Sequence, residues 1–341
     1  MDIGSIIGSI IMAAIVAFAL VTGFAYMTLF ERKVVARIQV RLGPNRVGPG
    51  GFFQPLADGI KLALKEDIIP AHADRPVFTL APMISLVVAL AAFAVIPFGS
   101  NITIFGMNVP LRVTDINVGI LYIFGITSLG VYGIVLAGWS SNNRYSLLGG
   151  IRSSAQVISY ELAMTMAVLG VLILTGSLSM NDIVLHQRAI WFGFLPAWNI
   201  FVQPLAFVIY VISALAETNR APFDLPEAEQ ELIAGYHIEY SSMRFAMFFM
   251  AEYINMITVS AIATTLFLGG WSAPSRYLDG IGGLPWFLIK VVLFLYFFVW
   301  LRATLPRVRY DKLMKLGWYW LLPLSLINMM LTAVVVVWGN V

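Results

Sequence analysis

Apolar residues gather along this chain in eight long runs, approximately residues 5–30, 77–98, 117–139, 154–174, 198–217, 243–268, 285–304 and 317–338, separated by more polar segments. Each run meets or approaches the roughly twenty helical residues that cross about 30 Å of hydrocarbon, so the pattern predicts eight transmembrane helices. The first run has no basic leader and no small-residue cleavage site, and it is expected to be a retained helix and not a signal peptide.

A shorter stretch follows a different rhythm. Over residues 52–66, Phe52, Leu56, Ile60 and Leu64 recur every fourth residue while Asp58, Lys61, Lys65 and Glu66 take other faces. That period predicts an amphipathic helix lying on the membrane surface. Gly43-Pro44 and Gly48-Pro49-Gly50-Gly51 precede it and call for tight turns. Residues 99–116 suggest a small hairpin and 179–190 a short amphipathic helix. No repeat or linker divides the chain, so one helical membrane domain over 1–341 is expected.

Composition agrees with the pattern. The chain has 341 residues, of which 60% are hydrophobic and 11% charged, and a mean hydropathy of +0.85. A soluble fold of that size could not hide so much apolar surface, which makes an all-α polytopic membrane protein the expected class. The pI near 9.1 does not point to nucleic acid, because the net charge is only +3 and the basic residues sit between apolar runs. Segments 31–76, 140–153, 218–244 and 302–316 hold 17 of the 21 Lys and Arg residues. Their side is expected to be cytoplasmic, with both termini on the outer side. With no cysteine, the chain offers no disulfide and no ordinary iron–sulfur ligation. His72, His186 and His237 all lie outside the apolar runs, so paired haem ligands are missing as well. Neither a metal-ligand spacing, a phosphate loop nor a nucleophile–base signature is present, and any redox centre is expected on a partner.

Charge is concentrated in one stretch. Residues 217–240 carry Glu217, Asp224, Glu227, Glu229, Glu231 and Glu239, a third of the 18 carboxylates. Asp224 and Glu227 read as a capping box and Gly235 as a stop, so a short helix over roughly 225–234 is predicted, with Glu227 and Glu231 on one face. A solvated acidic loop would have the same composition. Glu161 and Glu252 fall inside the fourth and sixth runs, at similar predicted depth, roughly 12–15 Å from the basic side. A charge there costs on the order of 2.5–3.5 kcal/mol, so such acids usually face a bundle interior or a wet cavity, and often an ion pathway. The structural alternative is a protonated acid bonded to Tyr160, Tyr253 or Asn255. Lys290, a few residues into the seventh run, is expected to snorkel to the outer surface.

The stretches ERKVVARIQVRLGPNRVGPGGFFQPLADGIKL, AETNRAPFDLPEAEQELIAGYHIEYSSMRFAMFFMAEY and WLRATLPRVRYDKLM closely resemble the family of quinone-chamber membrane subunits of the proton-pumping NADH:quinone oxidoreductases, respiratory complex I. The resemblance covers essentially the whole chain. It implies a bacterial inner-membrane, multi-pass subunit that supplies the membrane part of a quinone chamber and helps link quinone reduction to proton translocation. The quinone would enter from the bilayer between the first and sixth runs and the amphipathic helix. It implies a chamber lined by Glu31, Arg32, Arg37, Arg41, Asp58 and Arg302, and a proton path through Glu161, Glu217, Asp224, Glu227, Glu229, Glu231, Glu239 and Glu252. Quinone would be the substrate, with flavin and iron–sulfur centres on peripheral partner subunits and antiporter-like membrane subunits as further neighbours; no complete active site is expected in this chain alone. Two alternatives remain at this point. One is the matching subunit of a complex fed by ferredoxin, formate or a deazaflavin. The other is a stand-alone proton-coupled carrier, disfavoured because no run is visibly split by paired Gly/Pro interruptions.

Overall fold

The computed structural model describes residues 3–100, 102–104, 107–191, 195–224, 235–274 and 282–339. The chain is a polytopic helical membrane protein. In order its helices are α1 (Ile3–Ile38), α2 (Gln54–Leu64), α3 (Arg75–Ala92), α4 (Gly119–Ser140), α5 (Arg144–Thr175), α6 (Met180–His186), α7 (Asn199–Val202), α8 (Pro204–Glu217), α9 (Ser242–Phe267), α10 (Gly283–Thr304), α11 (Tyr310–Lys315) and α12 (Leu322–Gly339). A π-helical turn, Leu316–Leu321, joins α11 to α12 into one span. Two small antiparallel hairpins, β1 (Ile102–Ile104) with β2 (Met107–Val109) and β3 (Ile190–Trp191) with β4 (Leu195–Pro196), decorate the loops.

Seven helices among the described residues are long and apolar enough to cross a membrane. The predicted fifth span, 198–217, is not one continuous helix. It breaks at Gln203, whose backbone (φ −125°, ψ 55°) leaves the helical region just before Pro204, so only the 14-residue α8 remains as a long piece. Proline contributes no N–H to the ladder and crowds the preceding turn. The expectation of one continuous fifth span therefore fails here, at a single proline and not at paired Gly/Pro interruptions. The break is met by side chains: Asn328 Nδ2 donates to Gln203 Oε1 at 2.7 Å and Gln203 Nε2 donates to Thr332 Oγ1 at 2.6 Å, both from α12.

Other runs extend past the predicted limits. α1 spans 36 residues, about 54 Å at 1.5 Å per residue, well beyond the hydrocarbon. α5 starts at Arg144, ten residues before the predicted start, because the Asn143 side chain caps it by accepting from Tyr145 N at 2.9 Å. Gly176 ends it in the left-handed conformation at φ 65°. α5 packs on α4, α8 and α12, while α9 packs on α3, α1 and α10. α3 and α4 meet closely: a Cβ on Gly133 would stand 2.1 Å from Ser85 Oγ and 3.1 Å from the Ala81 carbonyl. Small residues allow that approach where lipid supplies no hydrophobic drive.

α2 forms over Gln54–Leu64, within the predicted 52–66. The turns before it are as tight as Gly48–Gly51 suggested; Gly51 has φ 80°, and a Cβ there would sit 2.2 Å from the Pro44 carbonyl oxygen. The hairpin and the short helix expected in 99–116 and 179–190 are β1–β2 and α6. The helix predicted over 225–234 lies outside the described residues.

Candidate functional site

Five charged or polar groups from four segments converge at the end of the bundle that carries the basic loops. Glu31, near the end of α1, is 6% exposed. Arg220, in the segment after α8, places Nη1 3.3 Å from Glu31 Oε2 and Nε 2.5 Å from Oε1 of Glu252 on α9. Tyr253 donates its hydroxyl to Glu31 Oε2 at 2.8 Å, and its ring lies under the Arg220 guanidinium with 4.1 Å to the centroid. Arg302, in the last turn of α10, pairs with Glu31 Oε1. Two carboxylates face two guanidinium groups, so the cluster is balanced. Only such pairing makes burial of charge tolerable.

A second constellation lies outward of it. Arg32 Nη1 donates to Asp58 Oδ2 at 2.7 Å and Gln54 Nε2 to Asp58 Oδ1 at 3.1 Å. Lys33 Nζ donates to the Gly50 carbonyl at 2.5 Å, which fixes the glycine turn against α1. α1 and α2 are thereby held side by side, with Tyr26 and Phe52 at 5.0 Å between ring centroids. The apolar stripe Phe52, Leu56, Ile60 and Leu64 is exposed over half or more of each side chain, Phe52 meeting Tyr26 with the remainder of its ring. Arg37 and Arg41 are also exposed; Arg41 Nε donates to Gln39.

Inward of the first cluster the bundle is hollow. A cavity of about 60 Å³ is lined by Ser85, Thr127, Glu217, Asn219, Tyr236, Glu252 and Asn255, among others. A second, about 10 Å³, shares Thr127, Glu217, Thr218 and Asn255 and runs on past Tyr210, Val259 and Ile262. A water needs roughly 10–15 Å³ by this measure and two or more polar partners, so the first space accommodates several waters and the second about one. Glu252 thus belongs to both the ion-paired cluster and the cavity. Glu161 is hydrogen-bonded by Ser128, the residue after Thr127.

Outside the spans, Arg307 donates to Asp224 at 2.9 Å. Burial raises the Asp224 carboxyl, and the hydrogen bond and charge of Arg307, with the charge of Arg220, pull it part of the way back. Glu239 accepts from Asn143 Nδ2 at 2.6 Å. His237 is packed among Tyr236, Phe245 and Phe249, and burial pushes its imidazole down to about 4. Tyr240 stacks on Phe78 at 3.9 Å, and burial raises its phenol to about 12 despite Ser140, Arg244 and Ser141.

Of the sequence-predicted chamber residues, the structure brings Glu31 and Arg302 together, and Arg32 with Asp58, and leaves Arg37 and Arg41 apart. Of the predicted path, Glu217 and Glu252 share a cavity; Glu161 is held by Ser128, Asp224 by Arg307 and Glu239 by Asn143; Glu227, Glu229 and Glu231 lie outside the described residues. Sequence reasoning misses Arg220 and Ser128 as partners of these acids, and it offers Tyr253 to Glu161 or Glu252 where the structure gives it to Glu31. Arg220 reads only as a topology charge, although an arginine between Asn219 and Ala221-Pro222-Phe223-Asp224 inside the acidic stretch is the available signal. Lys290 contradicts its expected snorkelling. It is 7% exposed, and its ammonium donates to the carbonyls of Leu268 at 2.6 Å, Gly270 at 2.9 Å and Ser272 at 2.7 Å.

Comparison with known proteins gives a consistent result. The family model described as NADH dehydrogenase matches residues 11–333. The H-type NADH-quinone oxidoreductase subunit of Thermomicrobium roseum is 56% identical, the match covering 99% of each chain. The second H-type protein of Koribacter versatilis is 52% identical over 96% of each, and the first H-type protein of Geobacter sulfurreducens 53% identical over 94% of this chain and 92% of its own.

Proposed function

The chain belongs to the NADH dehydrogenase family, and we propose that it is the subunit of a proton-translocating NADH:quinone oxidoreductase that forms the membrane part of the quinone chamber and couples quinone reduction to proton movement. The observation that carries this reading is the double placement of Glu252, ion-paired to Arg220 and Glu31 on one side and lining the Glu217 cavity on the other. Glu31, Arg32, Arg37, Arg41, Asp58 and Arg302 form the approach for a polar quinone headgroup, with the exposed α2 stripe meeting its apolar tail. Glu161, Glu217, Asp224, Glu227, Glu229, Glu231, Glu239 and Glu252 form the route away from it.

Quinone reduction consumes protons and places negative charge near the Arg220–Arg302 pair. Any added anion competes with Glu31 and Glu252 for the two guanidinium groups, and a carboxylate that loses its cation binds a proton more readily. Glu252 is positioned to pass that change to Glu217 through the cavity that both line. Electrons come from flavin and iron–sulfur centres on peripheral subunits, the antiporter-like subunits continue the route, and the basic loops face the bacterial cytoplasm with the chain in the inner membrane.

Glu217→Gln and Asp58→Asn in the assembled complex test this. Asp58→Asn weakens a half-exposed ion pair of about 0.2–1 kcal/mol and removes a charge at the chamber approach, and quinone reduction should fall about two- to fivefold while NADH oxidation by an artificial acceptor is kept. Glu217→Gln should lower quinone reduction and membrane potential together. Equal loss of both acceptor activities in an assembled enzyme, or full activity and potential in Glu217→Gln, would sink the assignment.

A further inference from the structure

At the end of the bundle opposite the ion-paired cluster, Lys290 of α10 is buried against the end of α9. Its three hydrogen bonds go to carbonyls at 2.6–2.9 Å, and its Nζ lies 4.6 Å from the Trp198 ring centroid. A neutral amine has two N–H donors and cannot serve three acceptors, so the arrangement is made for an ammonium. The carbonyls belong to the segment where α9 ends, at the negative pole of that helix, which favours a cation further. No carboxylate among the described residues stands within ion-pair reach of Lys290. Among the described residues its partners are carbonyls, whereas Arg220 and Arg302 are paired with carboxylates.

The segment around it is built for rigidity. Gln187 accepts from Asn199 N at 3.2 Å and Gly269 N at 2.9 Å and donates to the Ile183 and Thr265 carbonyls; Asn199 Nδ2 donates to the Leu266 carbonyl at 2.7 Å. Thr258 still lines the smaller cavity; between it and this knot α9 presents Ser260, Thr264 and Thr265, all buried, each donating its hydroxyl proton to its own helix. Leu266 and Phe267 fill the same layer. The smaller cavity reaches Ile262, six residues or about 9 Å of helix short of Leu268.

We propose that Lys290 is a fixed positive charge that seals the polar interior against proton flow to the face opposite the basic loops. A proton or hydronium advancing from the Glu217 cavity meets a dry layer and then a cation whose lone pair is absent and whose protons are all committed. Fixed positive charge is a general device for excluding protons and other cations from a polar pore. The seal gives the redox-linked acids a closed end, so charge released there leaves through neighbouring subunits and not across the bilayer within this chain. This inference rests on the reading of the cavity acids as a proton route.

The test is passive proton leak in liposomes carrying the assembled complex without NADH, under a potential imposed by potassium and valinomycin, followed by an internal pH dye. A unit charge about 9 Å from the last cavity, at an effective dielectric constant of about 20, lowers proton occupancy about twentyfold. Lys290→Met should raise the leak by that order and Lys290→Arg should not. If Lys290→Met does not assemble, Lys290→Gln carries the same expectation. Gln187→Leu, which breaks the knot but keeps the cation, should stay tight. Adding Glu217→Gln to Lys290→Met should close the leak. An unchanged leak in an assembled Lys290→Met or Lys290→Gln complex, or an equal leak in Gln187→Leu, overturns the seal. A leak that survives Glu217→Gln overturns its link to the cavity route. Because no quinone turns over in this assay, failure of the seal is distinct from failure of the functional reading, which Glu217→Gln alone reports through turnover and potential.

Discussion

Arg220 serves carboxylates on two helices at once, and its removal costs both a cation. Arg220→Leu leaves Glu31 facing Arg302 alone and Glu252 facing the cavity without a cation; breaking a buried pair in this way costs about 3–5 kcal/mol. The thermal midpoint of the assembled complex should drop markedly, or its yield collapse. Tyr253→Phe removes one bond to a charged acceptor, about 1.5–3 kcal/mol, while keeping the ring under the guanidinium, and should be the milder change by the same measurement. His237 adds a pH dependence. Its folded imidazole titrates at about 4 and its unfolded one near 6.5, so between those values the unfolded chain binds more protons. Stability present above about pH 6.5 is lost as pH falls toward about 4. His237→Phe, placed among the same aromatic rings, should flatten that acid limb in thermal melts taken across the interval.

Helix contacts carry the next level of constraint. Gly133→Ala would drive a methyl group into Ser85 Oγ and the Ala81 carbonyl of α3, an overpacking of about 1–3 kcal/mol, and should lower the melting temperature without altering the pH profile of quinone reduction. Legibility in the sequence also divides at this level. The long spans are readable because an uninterrupted apolar run has few other fates. The fifth is misread because hydropathy does not register that Gln203 precedes a proline in a position where α12 satisfies its amide. α5 is cut short because its first turns, through Gly149 and Gly150, are polar by composition yet packed: a Cβ on Gly149 would stand 2.8 Å from the backbone of Gly235. Glu161, Glu217 and Glu252 are visible as acids in apolar company. Their partners are not, since Arg220 and Ser128 are distant in sequence, and Lys290 is misjudged because its acceptors are carbonyls of another helix.

For the molecule as a whole, the distribution of Lys and Arg assigns the basic loops to one side of the membrane. The chain has no cysteine of its own, so Tyr145→Cys and Arg309→Cys should react with an impermeant thiol reagent only from the cytoplasmic side, and Arg188→Cys only from the other. The reverse labelling would invert the orientation and with it the direction of the seal. The break at Gln203 has a consequence in time. A nascent chain delivers α7 and α8 to the bilayer long before α12 exists, so the Gln203 amide waits without Asn328 and Thr332 until the last span is synthesised. Among the described residues both side-chain partners of that amide come from α12, so it stays unpaired in the bilayer until that helix has been made. Chains stopped after residue 324 should be degraded faster than complete ones in a pulse-chase experiment, and Gln203→Leu, which leaves nothing waiting, should narrow the difference.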